Sequence, residues 1–149
     1  MIADVRTILL AEDNSNDIEL TLAALRENHV VNPVVSVRDG SEALDYLERR
    51  HAYADRAGGN PALLLLDLKM PKLDGIQVLR AVKSDSRLRT IPVVILTSSC
   101  EEQDLVRSYD LGVNAYVVKP VGFPDFVQAV KLLGGFWAML NEPPPARVG

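Results

Sequence analysis

The chain of 149 residues predicts an α/β fold built on a parallel, doubly wound sheet. Two observations lead there. Five short apolar runs alternate strictly with five longer amphipathic stretches. Several runs are apolar on both faces, as a strand buried between two helix layers must be. Strict alternation of strand and helix favours parallel pairing through right-handed crossovers, with helices on both sides of the sheet.

The elements follow in order. Ile8-Leu9-Leu10 is the first strand, and helical spacing follows over about 16–29, where Ile18, Leu22 and Leu25 lie four and three apart. Val34-Val35-Ser36-Val37 is the second strand, followed by a helix over 41–49 carrying Ala43, Leu44 and Leu47. The third run, 63–66, is all leucine, a good helix former. Pro61 before it and Met70-Pro71 after it confine it to strand length. A helix over 76–84 carries Ile76, Leu79 and Val82, and the fourth strand is 93–96. The fourth helix spans about 101–111, with Leu105 and Tyr109 four apart and Gly112 suited to its C-terminal cap. Tyr116-Val117-Val118 is the fifth strand. A fifth helix starts near Pro124 and carries Phe123, Phe126, Val127, Val130 and Leu133. There is no internal repeat. Residues 1–140 read as one folded unit, and 141–149, with Pro143-Pro144-Pro145, as a disordered tail.

Composition narrows the function classes. A chain of this length buries roughly two-thirds of its unfolded surface and needs no staples. Its single Cys excludes a disulfide framework and a cysteine-based zinc site, and fits a reducing, cytoplasmic setting. Twenty acidic against 16 basic residues, a net charge of −4, argue against an unaided nucleic-acid binder. No apolar run approaches the roughly 18–20 residues that span a bilayer, and the N-terminus has no signal-peptide pattern. His29 and His51 lack a second ligand at metal spacing. Arg49, Arg50 and Arg56 read as a solvated basic patch, and Cys100 as a surface residue at a helix start.

In an open parallel sheet, ligands sit beyond the carboxyl ends of the strands. Glu12-Asp13 follow the first strand, Asp67 the third, Thr97 the fourth and Lys119-Pro120 the fifth. Nothing chemically notable follows the second. Glu12, Asp13 and Asp67 should converge on one sheet edge, where three carboxylates repel and need a cationic partner. A hard divalent cation such as Mg²⁺ suits them, because it accepts one or two carboxylates plus water and phosphate oxygens. Lys119 can pair with a carboxylate or with phosphate oxygens. Thr97 can donate to a phosphate oxygen. An Asp carboxylate can attack phosphorus and form an aspartyl phosphate. Taken singly, each residue reads as a cap or a solvated side chain; the ordered set is what points to phosphoryl chemistry.

That set carries a resemblance. Leu9-Leu10-Ala11-Glu12-Asp13-Asn14, Leu65-Leu66-Asp67-Leu68-Lys69-Met70-Pro71, Asp74-Gly75, Ile95-Leu96-Thr97-Ser98 and Val118-Lys119-Pro120 resemble the receiver domain of bacterial two-component response regulators, over about residues 5–133. The resemblance implies a flavodoxin-like sheet with strand order 2-1-3-4-5. It implies Asp67 as the residue phosphorylated by a sensor histidine kinase. It places Mg²⁺ on Glu12, Asp13, Asp67 and the backbone carbonyl of Lys69. It gives Thr97 and Lys119 as phosphoryl-contacting residues and Tyr116 as the switch aromatic that changes rotamer with Thr97. It implies a cis peptide before Pro120. Ser98 departs from the Ala or Gly common beside such sites.

A narrower resemblance joins three features. They are the long connection over 49–61, the run Glu12-Asp13-Asn14-Ser15-Asn16-Asp17, and the C-terminal Phe136-Trp137-Ala138-Met139-Leu140-Asn141-Glu142-Pro143. Together they look like the single-domain regulators paired with bacterial and cyanobacterial phytochromes, which implies a bacteriophytochrome kinase as partner. Near the C-terminus, Val130, Leu133, Trp137 and Leu140 form one apolar stripe, and Leu132, Phe136 and Met139 a second. One stripe suffices for a surface helix, so the second predicts an interface. Gly134-Gly135 interrupt the pattern. The expectation is a homodimer through the fourth helix, fifth strand and fifth helix, with Leu132, Phe136, Trp137 and Met139 in the contact.

Two other functions compete. A haloacid dehalogenase-type phosphatase also uses a strand-end Asp and Mg²⁺, but it needs a second Asp two positions on, where this chain has Lys69. A receiver-fold scaffold that is never phosphorylated would have no use for Asp67, Thr97 and Lys119 together. The expected function is therefore a phosphoacceptor switch, not an enzyme, that signals through protein contacts or a phosphorelay.

Overall fold

The computed structural model describes residues 7–27, 32–97, 111, 113, 115–119, 122, 124–126 and 128. Five strands, β1 (Ile8–Ala11), β2 (Val34–Val37), β3 (Leu63–Asp67), β4 (Val93–Thr97) and β5 (Tyr116–Val118), form one sheet. Its order is β2-β1-β3-β4-β5, and every pair is parallel. The expected topology is present. Among the described residues three α-helices, α1 (Ser15–Glu27), α2 (Gly40–Glu48) and α3 (Gly75–Ser84), lie in the connections from β1 to β4. Residues 124–126 are helical where the fifth helix was expected.

The leucine run is a strand because both its faces are covered. Leu64 and Leu66 join Leu9, Ala11, Val37, Ile95 and the apolar sides of α2 and α3 in one core. Leu63 and Leu65 join Ile8, Leu10, Val94 and Leu96 with Ile18 and Leu25 of α1 and Phe126 in a second core. Alternate residues of each strand thus enter opposite layers. The strands run one residue past the apolar stretches, so Ala11, Asp67 and Thr97 end β1, β3 and β4. Ladder hydrogen bonds do not depend on side-chain polarity, and they carry Asp67 and Thr97 to the sheet rim.

Local chemistry fixes the helix starts. Asn14 accepts the Asp17 N–H at 2.9 Å and starts α1. Asp39 caps α2 by accepting from Glu42 N–H at 2.8 Å. Asp74 and Gln77 form a reciprocal capping box on α3. Gly75, first in α3, packs so close to β3 that a Cβ would overlap the Asp67 carbonyl oxygen and come within 2.7 Å of Leu68 Cα.

The 49–61 connection departs from expectation. Arg56 is not a solvated residue. Its guanidinium lies 4.1 Å over the Tyr46 ring, and it donates to the carbonyls of Tyr46 at 2.9 Å and Gly59 at 3.0 Å. Arg49 donates to the carbonyls of Arg56 and Gly58. Tyr53 meets Tyr46 edge-on at 5.1 Å and donates its hydroxyl to Glu42 at 2.7 Å. A loop without ladder hydrogen bonds satisfies its carbonyls with arginine forks, and the flat guanidinium adds an aromatic contact. Arg50 alone of the three meets surface carboxylates, Asp45 and Glu48.

Several expectations lie outside the described residues. They are the fourth helix before Leu111, Ser98, Cys100, the Pro120 peptide, the interface residues Leu132, Phe136, Trp137 and Met139, and the 141–149 tail.

Candidate metal and phosphoryl site

The parallel register brings the strand ends together. Ala11 pairs with both Val37 and Leu66, and Asp67 pairs with Leu96. The next residues of β1 and β3 therefore share one rim. Glu12, Asp13 and Asp67 each place a carboxylate oxygen within 4.8 Å of the others. Glu12 is fully buried and Asp67 is 4% exposed, while Asp13 is exposed.

Lys119 enters from the far side. Its amide donates to the Thr97 carbonyl at 2.7 Å, which anchors the residue at the end of β5. Its side chain is 8% exposed. The ammonium lies 2.8 Å from Glu12 Oε1, 2.8 Å from Asp17 Oδ2 and 3.5 Å from Asp67 Oδ1. The other oxygen of Glu12 accepts the Asn14 N–H at 3.1 Å. Glu12 is thus fixed at both oxygens.

The electrostatics follow from this packing. Burial, and then the neighbouring charge of Glu12, push the Asp67 carboxyl up to about 7 against the pull of Lys119. Burial alone would lower Lys119. Hydrogen bonds to Asp17 and Glu12, and the charges of Asp67 and Glu12, outweigh it and hold the ammonium well above the ordinary lysine range. One ammonium faces more negative charge than it can neutralise. Three converging hard oxygen donors suit a divalent cation, and the buried Glu12 and Asp67 gain most from one.

The remaining expected residues lie on β4 and β5 and in the loop after β3. Thr97 is buried at the end of β4. Tyr116 pairs with Ile95, two residues before Thr97, so the two side chains share a sheet face. Tyr116 is half-buried and its hydroxyl donates to the Val113 carbonyl at 3.1 Å. Lys69 is exposed in the loop after β3.

Two contributors have no role assigned to them in the sequence reading. Arg38 follows β2, where nothing notable was expected. It donates to the Asp13 carbonyl at 3.1 Å and to Ser15 Oγ at 2.8 Å, tying the loop after β1 to β2. Asp17 meets Lys119 across 102 residues of chain. An acid three residues after a helix cap looks like an ordinary first-turn acid. Only its place in the shared run 12–17 hinted at more.

The model of the response regulator receiver domain family matches residues 8–131. The structure of the bacteriophytochrome response regulator AtBRR is 62% identical, with a TM-score of 0.85 over 93% of this chain and 99% of that one. The phosphorylated cyanobacterial phytochrome response regulator RcpA is 43% identical, with a TM-score of 0.71 over 89% of this chain and 91% of that one. Response regulator Rcp1 of Synechocystis is 36% identical over 132 residues, which are 89% of this chain and 88% of Rcp1. The structure of Mn²⁺-bound Rcp1 is 35% identical, with a TM-score of 0.71 over 89% of this chain and 92% of that one.

Proposed function

The chain belongs to the response regulator receiver family and is related to phytochrome response regulators, and from that premise we propose that it accepts a phosphoryl group on Asp67 from a phytochrome-type histidine kinase. The observation that carries this is the carboxylate of Asp67, buried at a strand end with Glu12, Asp13 and the Lys119 ammonium around it. An Asp67 oxygen forms a bond to phosphorus as the phosphorus–nitrogen bond of a phosphohistidine breaks, and the electron pair leaves on the imidazole. Glu12, Asp13 and Asp67 with the Lys69 carbonyl would hold Mg²⁺, which supplies charge neutralisation for the transferring group. RcpA and Rcp1 lend support, one as a phosphorylated and one as a Mn²⁺-bound regulator.

Lys119 pairs with the phosphoryl oxygens, and Thr97 donates its hydroxyl to them. The new charge at Asp67 then reaches the β4–β5 face through Thr97 and Tyr116. Output is by protein contact or through a phosphorelay, and the expected homodimer uses the fourth helix, fifth strand and fifth helix. The protein is a switch in the cytoplasm, not a turnover enzyme. Among the described residues no helix is long and apolar enough to cross a membrane.

The test is incubation with acetyl phosphate and Mg²⁺, and separately with a phosphorylated phytochrome kinase. One hydroxylamine-labile phosphoryl group per chain is expected, absent from Asp67→Asn. An unmodified wild-type chain, or equal labelling of Asp67→Asn, overturns the reading.

A further inference from the structure

Asp17 lies outside the set of residues that the receiver resemblance accounts for, yet it makes one of the two shortest contacts to the site's ammonium. Its Oδ2 is 2.8 Å from Lys119 Nζ, the same distance as Glu12 Oε1. Asp67 Oδ1 is farther, at 3.5 Å. The ammonium is therefore seated between Glu12 and Asp17, and held off the residue it would be expected to favour.

The seat is built. Asp17 belongs to the first turn of α1, and its amide is fixed by Asn14 Oδ1 at 2.9 Å. The Asn14 amide is in turn fixed by Glu12 at 3.1 Å. Both carboxylates that hold the ammonium thus belong to one hydrogen-bonded turn. Arg38 braces that turn through the Asp13 carbonyl and Ser15 Oγ. A flexible four-carbon stem places an ammonium loosely unless its donors are engaged.

This placement has a chemical consequence. A carboxylate oxygen in full contact with an ammonium keeps a second lone pair, but the contact draws off electron density and makes it a weaker nucleophile toward phosphorus. An ammonium held a short step away leaves the nucleophile free, yet close enough to meet the oxygens of the incoming phosphoryl group. We propose that Asp17 is a positioning residue for phosphoryl transfer, holding Lys119 off Asp67 and presenting its ammonium to the phosphoryl oxygens.

The inference rests on the proposed role of Asp67, and the experiment separates the two. Wild type, Asp17→Asn and Asp17→Glu are phosphorylated with acetyl phosphate and Mg²⁺ over a range of donor concentrations. The Lys119 ammonium is followed by nitrogen-15 NMR of the full chain, and folding by thermal unfolding. Asp17→Asn should lower the rate constant about tenfold, the lower end for a residue that orients a reacting group. Asp17→Glu should recover most of it. The Lys119 ammonium resonance should shift or broaden in Asp17→Asn and be retained in Asp17→Glu. Wild-type rates in Asp17→Asn overturn the inference and leave the Asp67 reading intact. So does a slow Asp17→Asn whose Lys119 resonance matches wild type, since that marks a general effect on α1. A wild-type chain that takes no phosphoryl group overturns both.

Discussion

Lys119 Nζ and Asp67 Oδ1 stand 3.5 Å apart at the ends of two strands separated in the sheet by β4. The pair is too far for a full hydrogen bond and close enough for strong attraction. Glu12 and Asp17 hold the cation in place. The site is thus a strained balance of charge, and its response to proton, metal and mutation follows from that balance.

A divalent cation should relieve the crowded carboxylates. Mg²⁺ at a hundred times its dissociation constant adds about 2.7 kcal/mol of stability. For a chain of this size that raises Tm by roughly 5–10 °C. Glu12→Gln and Asp67→Asn should lose most of the gain. A calorimetric or dye-based melt with and without Mg²⁺ checks this, and an equal gain in the two variants would contradict it.

Asp67 also makes stability depend on pH. Its carboxyl is pushed up to about 7 in the fold, above the ordinary carboxylate value of about 4. A raised value means the folded state keeps its proton longer than the unfolded chain does. The associated stability is complete below about pH 4 and is lost as pH rises through about 7. In metal-free buffer, Asp67→Asn should therefore gain on wild type between pH 5 and pH 8, by a few kcal/mol at order of magnitude. Chemical denaturation at both pH values measures the difference. A gain of the same size at both would show that Asp67 does not titrate in this window.

Gly75 should be intolerant of any side chain. A Cβ would overlap the Asp67 carbonyl oxygen, which belongs to the backbone and cannot swing aside. Gly75→Ala should cost roughly 1–3 kcal/mol, the range for overpacking. It should also slow phosphorylation of Asp67 more than Leu79→Ala, a cavity variant on the same helix expected to cost about 2–5 kcal/mol. Parallel denaturation and labelling rates decide it. Equal slowing in both variants would make the Gly75 effect a matter of stability alone.

Arg56 should hold the 49–61 connection. Arg56→Ala removes a guanidinium stacked on Tyr46 and two hydrogen bonds to carbonyls. A loss of about 1–2 kcal/mol is expected, with faster amide exchange over residues 53–59. Arg56→Lys should not restore protection, because an ammonium cannot form the planar fork. Hydrogen exchange read by mass spectrometry is the check, and full protection in Arg56→Lys would remove the fork from the explanation.

The architecture was legible because it rests on local pattern. Strand-length apolar runs between helical stripes specify a parallel α/β sheet, since only burial on both faces accommodates them. Asp39 and Asp74 start helices by chemistry visible within four residues. Glu12, Asp13, Asp67, Thr97 and Lys119 were legible as a set because each ends or follows a strand, and the carboxyl ends of parallel strands share one edge.

Arg56, Arg38 and Asp17 were not legible, because their partners are remote. Arg56 reads as a solvated charge until Tyr46 and the Gly59 carbonyl are placed around it. Arg38 stands out in no local pattern until the Asp13 carbonyl comes within 3.1 Å. Asp17 reads as a first-turn acid until Lys119 arrives from β5. The sequence by itself determined the sheet, its first three helices and the strand-end placement of the candidate carboxylates. Tertiary structure alone decided where the ammonium sits among its acids. Coulomb energy and desolvation depend on distance and burial, and only folding sets those for groups a hundred residues apart.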